Sequence, residues 1–188
     1  MNINDPHKYF GAAQIQLRME SISQIVSLCL NSHIEAAPYV ALLYCFSNID
    51  LMGAYLTGRY DKRKEADNAK KFMVKYMHYS KDQMKLVQQI YRHKLVHSGM
   101  PAPLTDYQDN IYTWRIHYSN KQSHLKMTKM GQAQCLNISV KDFGQDLIDG
   151  MNEYLNDLEN DTHGLRKKFE KTLDEFWGLN LIPEQNKV

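Results

Sequence analysis

With 188 residues, 43% of them hydrophobic, and a formal charge of +2, the chain has the size of one domain with its own core and not the composition of a disordered segment. So small a net charge argues against an extended duplex-binding surface, which needs many phosphate-neutralising Lys and Arg, and leaves room only for a local basic patch. The N-terminus shows no basic stretch followed by an apolar one, and no apolar run long enough to cross a bilayer stands out, so a cytoplasmic protein without membrane contact is expected.

The helical signals come in chain order. Ile15, Met19, Ile22, Val26, Cys29 and Leu30 recur at three- and four-residue steps and predict a helix near 12–32, after a short polar arm. His33 follows near its end, where the helix dipole favours a cation. Pro38 suits the first turn of a second helix near 38–57, apolar on most sides and closed by Gly58. Asp50 interrupts its apolar surface. A carboxylate there needs a partner, and one candidate role is to orient a group of a functional site. The basic loop Arg59-Tyr60-Asp61-Lys62-Arg63-Lys64 is either plainly solvated or an electrostatic guide for an anion. A third helix is predicted near 65–79, with Ala69, Phe72, Met73 and Tyr76 inward. A fourth, near 81–97, opens on the capping box Ser80-Lys81-Asp82-Gln83 and stops at Gly99 and Pro101.

From Leu104 to Val140 the period changes to two. Ile111 to Tyr118, His124 to Met130 and Gln134 to Val140 read as three short strands of an antiparallel meander, an insertion at about 104–140. A fifth helix near 141–160 turns Asp142, Asp146, Asp149, Glu153, Asp157, Glu159 and Asp161 outward as a solvated acidic face. Thr162 is expected to cap a sixth helix near 162–177, with Leu165, Phe169, Leu173, Phe176 and Trp177 inward, ahead of a polar tail at about 179–188. The expected architecture is mainly α: one helical-bundle domain over 1–188, with a small antiparallel β-meander inserted before its last two helices. Cys29, Cys45 and Cys135, odd in number and far apart, read as buried free thiols in a reducing compartment.

Chemistry concentrates in Arg92-His93-Lys94-Leu95-Val96-His97, on the last turns of the fourth helix. His93 and His97 are four apart and share a face. That spacing suits zinc, but Lys94 stands where H-E-x-x-H has its Glu, and no acidic third ligand follows, so no metal is expected. Paired with Arg92, the imidazoles offer another chemistry. Arginine forks onto phosphate oxygens, and histidine gives or takes a proton near neutral pH. These are the parts for cleaving RNA without a metal or other cofactor. Arg92 and His97 lie about 140° apart on an ideal helix, five steps of about 100°. Either the last turn loosens, or a two-fold dimer places a second copy opposite. On the plainer reading Arg92 is a surface residue and His97 interacts with the helix C-terminus. Tyr112, Trp114 and Tyr118 are either strand packing or a stacking platform for single-stranded bases.

This stretch resembles the R-x(4–6)-H motif of the HEPN superfamily. The preceding order is similar too: a long first helix, a helix ending near Thr57-Gly58, a basic loop, then the motif at the end of a later helix. The resemblance covers about 12–100 and 141–177 and leaves out the strands. It implies a metal-independent endoribonuclease working as a homodimer, often a toxin with a protein antitoxin partner or a defence factor. Arg92 and His97 would be its catalytic pair, and His93 would take the polar position, where Asn or Asp is more usual. Asp50 would support the site by fixing an imidazole. Other relatives are non-catalytic and bind RNA, nucleotides or another protein.

Overall fold

The computed structural model of the chain describes residues 6–59 and 64–177. In chain order the helices are α1 (Pro6–Leu30), α2 (Ala37–Thr57) and α3 (Glu65–Lys75), then a run made of α4 (Lys81–Leu86), a π-helical segment (Val87–Arg92) and α5 (His93–Ser98). After a four-stranded sheet come α6 (Val140–Glu159) and α7 (Leu165–Trp177). The mainly helical expectation holds. The arm at 1–5, part of the basic loop (60–63) and the polar tail lie outside the described residues.

α2 is central because it is apolar on most sides, and α1, α3, α6 and α7 pack around it. Phe46 meets Phe143 of α6 at 5.1 Å between ring centroids, and Tyr55 meets Phe169 of α7 at 4.8 Å. Burying one such ring stabilises the fold by roughly 2–3 kcal/mol. Contrary to the sequence expectation, α2 is by length and composition apolar enough to span a bilayer, yet 61% of that window is buried within the bundle. Gly53 lets α3 approach closely, since a Cβ there would lie 2.5–2.6 Å from backbone atoms of Asn68 and Ala69. The three cysteines are buried and free. Burial, with Cys29 nearby, pushes the Cys45 thiol up to about 12, so it stays protonated and unreactive.

Three helix boundaries differ from the periodicity. α1 begins at Pro6, ahead of 12. α3 stops at Lys75, because His78 takes a left-handed conformation (φ 55°) and turns the chain, while Tyr79 is buried with its hydroxyl donating to Asp146. Thr162 is not the cap of α7. Asp161 takes that part, its carboxylate accepting from the Arg166 amide at 2.9 Å, and Thr162–Gly164 form a 3-10 turn. Phe176, expected inward, is exposed.

The sheet corrects the meander. Its strands β1 (Leu104–Thr105), β2 (Ile111–His117), β3 (Met127–Met130) and β4 (Ala133–Ser139) lie in the order β1-β2-β4-β3, and β2 pairs with β4 in parallel. The sheet is therefore mixed. The reason lies in the side chains. Cys135 through Ser139 are all buried, which needs a central strand, whereas all of β3 is exposed and tolerates an edge. Tyr91 ties this sheet to the helices, its hydroxyl 2.8 Å from the Leu136 carbonyl oxygen and 3.1 Å from that of Arg115.

The acidic face of α6 is not simply solvated. Asp146 accepts from the Tyr79 hydroxyl at 2.9 Å and from His124 Nε2 at 3.1 Å. His124 Nδ1 accepts the Ser139 amide at 3.1 Å, which fixes the tautomer with hydrogen on Nε2. Asp157 holds Lys75 and the Tyr76 hydroxyl at 3.1 and 3.0 Å, and Glu153 meets His78 at 2.8 Å. Asp149 and Glu159 remain exposed as expected.

Candidate functional site

The run from Lys81 to Ser98 starts as its sequence dictates. The Gln83 amide donates to Ser80 Oγ at 3.2 Å, and the Ser80 amide donates to Gln83 Oε1 at 2.9 Å. The helix then widens into a turn that periodicity does not reveal, with the His93 amide donating to the Gln88 carbonyl five residues back. Widening lets Val87, Gln88, Ile90 and Tyr91 all be buried, more than one stripe of a regular helix turns inward.

Arg92 closes this wide turn and points at α2. Its Nε lies 2.8 and 3.2 Å from the two Asp50 oxygens, and its Nη2 lies 2.7 Å from Oδ2, a bidentate fork. The side chains are only 12% and 20% exposed, so this is an interior ion pair and Arg92 is no ordinary surface residue. Burial raises the Asp50 carboxyl above its ordinary value, and the Arg92 hydrogen bonds and charge pull it only part of the way back. The expected role of Asp50 is thereby changed. It reaches the neighbouring helix, but it holds the guanidinium and not an imidazole.

His93 and His97 behave as their four-residue spacing predicts. Their ring centroids are 4.8 Å apart in an edge-to-face arrangement, and both are exposed. α5 stays regular to Ser98, and Gly99 (φ 72°) closes it with its amide on the Leu95 carbonyl. The last turn does not loosen, so nothing in one subunit swings Arg92 towards His97. The residues that share a cavity are instead Arg92 and His93. Both line a cavity of about 800 Å³, together with Lys85, Lys94, Tyr107 and Tyr112, and His97 lies outside it.

The sequence patterns singled out neither Tyr107 nor its turn. The Asp106 Oδ1 accepts the amides of Gln108 and Asn110 at 2.8 and 3.0 Å, an Asx-type turn that leaves the Tyr107 ring fully exposed. Of the three aromatics considered for stacking, only Tyr112 reaches this cavity. Trp114 packs edge-on against Tyr39 of α2 with centroids 6.1 Å apart, and Tyr118 is exposed just beyond the end of β2. Among the described residues, no group of three or more His, Cys, Asp or Glu is placed to hold a metal ion. Chemically, the cavity offers fixed positive charge, one imidazole backed by a second, and two phenol rings. Compared with known proteins, the chain matches no family model, no curated protein and no solved structure.

Proposed function

We propose that the chain is a metal-independent endoribonuclease of HEPN type, acting as a homodimer in a toxin or defence role. One observation carries this reading: an arginine clamped by a half-buried carboxylate opens into the same cavity as one of two imidazoles that meet edge to face. Asp50 engages Nε and Nη2, which leaves the Nη1 side of Arg92 for a phosphate oxygen. An imidazole takes the proton from the ribose 2′-OH, and the 2′-oxygen bonds to phosphorus. Arg92 steadies the charge on the phosphorane oxygens, and the bond from phosphorus to the 5′-oxygen breaks. A second imidazole gives that oxygen its proton. The products carry a 2′,3′-cyclic phosphate and a 5′-hydroxyl. His93 is the imidazole at the cavity, and His97 completes the set from the face that a second subunit would meet. Val96 and Met100, both exposed beside His97, suit such a two-fold contact. Asp50 is a positioning residue, acting through Arg92.

The alternative is a non-catalytic module that binds RNA, a nucleotide or a protein partner such as an antitoxin. It is favoured by the completeness of the Asp50–Arg92 pair, which already neutralises the arginine. A pool of single-stranded RNA incubated in EDTA with wild type and with His97→Ala separates the two. The ribonuclease reading expects His97→Ala to cut about 10²–10⁴-fold more slowly, the usual range for losing a general acid or base. Retention of RNA without cutting supports the binding module, and equal cutting by both proteins rejects the assignment of His97.

A further inference from the structure

We propose that the groove between α3 and α4 is a track for single-stranded RNA that feeds the Arg92–His93 cavity. This rests on reading that cavity as a phosphate site. The groove encloses about 1240 Å³, and eight of its lining residues are Lys or Arg against two Asp, in a chain whose net charge is only +2. The concentration follows from helix periodicity. Lys71 and Lys75 are four apart on α3, and Lys81 and Lys85 are four apart on α4, so each pair shares a face, and Lys70 lines the same groove. Gly53 seats α3 tightly on α2, and the capped start of α4 turns its lysines to the opposite wall.

Two of these cations are engaged, Lys70 by Asp67 and Lys75 by Asp157. Among the described residues, Lys71, Lys81, Lys85 and Lys168 have no carboxylate within ion-pair distance, although α6 carries so many acids. Lysines without an ion-pair partner among the described residues repel one another where they line one concavity, and an anion threaded between them relieves that repulsion. Leu56, Val74 and Met84 interleave apolar surface with the charges, which suits bases better than an acidic peptide. The groove also has a direction. Its wall residues Lys70, Asp82, Lys85, Gln88 and Gln89 are shared with the cavity that holds Arg92, His93 and the exposed Tyr107. A phosphate chain running along the lysines therefore arrives at the guanidinium, where a flanking base can stack on Tyr107. The groove's length suits a short single strand better than a duplex. α3 has 11 residues and so extends about 16 Å, the span of only a few nucleotides, whereas double-stranded RNA is usually read over roughly 16 base pairs.

The test uses the full chain carrying His97→Ala, so that binding is read without turnover. Fluorescence anisotropy compares a short single-stranded RNA with the same sequence as a duplex. It does so for this protein, for a groove variant (Lys71→Gln, Lys81→Gln, Lys85→Gln) and for an equally discharged sheet-side variant (Lys121→Gln, Lys126→Gln, Lys129→Gln). All six lysines are exposed; should the groove triple fail to fold, Lys85→Gln alone carries the comparison. The groove variant is expected to bind the single strand about tenfold or more weakly, with a salt dependence shallower by about two in log–log slope, roughly 0.7 for each of the three lost contacts. The sheet-side variant is expected to bind as its parent does. Equal weakening by both variants, undiminished binding by the groove variant, or a duplex bound as tightly as the single strand would overturn the proposal. If wild type fails to cut RNA while groove-dependent binding persists, the ribonuclease reading falls and the track stands. Cutting and binding that ignore the groove lysines give the reverse.

Discussion

The acids of α6 and the lysines of α3 and α4 look alike in the sequence, each a run of like charge along one side of an amphipathic helix. In the fold they do different things. Asp146 reaches Tyr79, between α3 and α4, and His124, between β2 and β3, while Asp157 reaches Lys75 and Tyr76 at the end of α3, so those acids fasten the fold together. Lys71, Lys81 and Lys85 have no such partner among the described residues and line an open groove. Charge that meets a partner within the chain is structural. Charge that lines a concavity without such a partner is, on the reading proposed above, held for a ligand. The Asp50–Arg92 pair stands between these cases, buried like the first and opening into a cavity like the second.

Substitution separates the classes, and the largest effect is expected at the interior pair. Asp50→Ala or Arg92→Ala strands a partly buried charge and should cost about 3–5 kcal/mol in urea unfolding, the range for breaking one side of a buried pair. The double change Asp50→Leu, Arg92→Met should cost less than the sum, and strict additivity would mean that the two charges do not interact. Asp146→Ala comes next. It leaves the buried Tyr79 hydroxyl and His124 Nε2 without their acceptor and should cost about 1–3 kcal/mol. An unchanged unfolding midpoint would return this acid to the solvated face.

Asp157 gives a smaller effect, visible against pH. Burial works against its carboxylate, but Lys75 and Tyr76 outweigh it and hold the group below its ordinary value of 3.8. Its stabilisation is then present above that value and lost as pH falls through the lower folded one. The melting-temperature gap between wild type and Asp157→Asn should be open near neutrality and close in acid. A gap constant with pH would show that the ion pair contributes nothing. Asp50 works in the opposite sense: its raised carboxyl contributes most below 3.8, and that contribution is lost as pH rises through the folded value. The smallest effect belongs to the groove. Lys71→Gln, Lys81→Gln and Lys85→Gln should each change stability by no more than about 0.5 kcal/mol. A larger loss in thermal or urea unfolding would place these lysines with the structural charges.

Local chemistry was legible in the sequence. The Ser80–Gln83 box, the glycine stops at Gly58 and Gly99 and the apolar α2 each rest on signals within a few residues, and each is present. What escaped depends on distant partners. Alternation shows that β2 and β4 are strands, but their parallel pairing is decided by which strand can be buried on both faces. The wide turn at Val87–Arg92 arises from how many side chains the core accepts there. Asp50 was picked out as a carboxylate needing a partner, yet that the partner is Arg92, 42 positions away, follows only from the crossing of two helices. His124 falls in a stretch read as a strand and Tyr107 in a connection with no periodic pattern, so nothing local draws attention to either side chain.

The central claim is that Arg92, His93 and His97 cut RNA by attack of its own 2′-oxygen. End-group analysis by mass spectrometry of a defined single-stranded RNA, incubated with the wild-type chain in excess EDTA, tests it most directly. A 2′,3′-cyclic phosphate on one fragment and a 5′-hydroxyl on the other is the expected result. A 3′-hydroxyl with a 5′-phosphate, or RNA left intact by a folded and binding-competent protein, would contradict it.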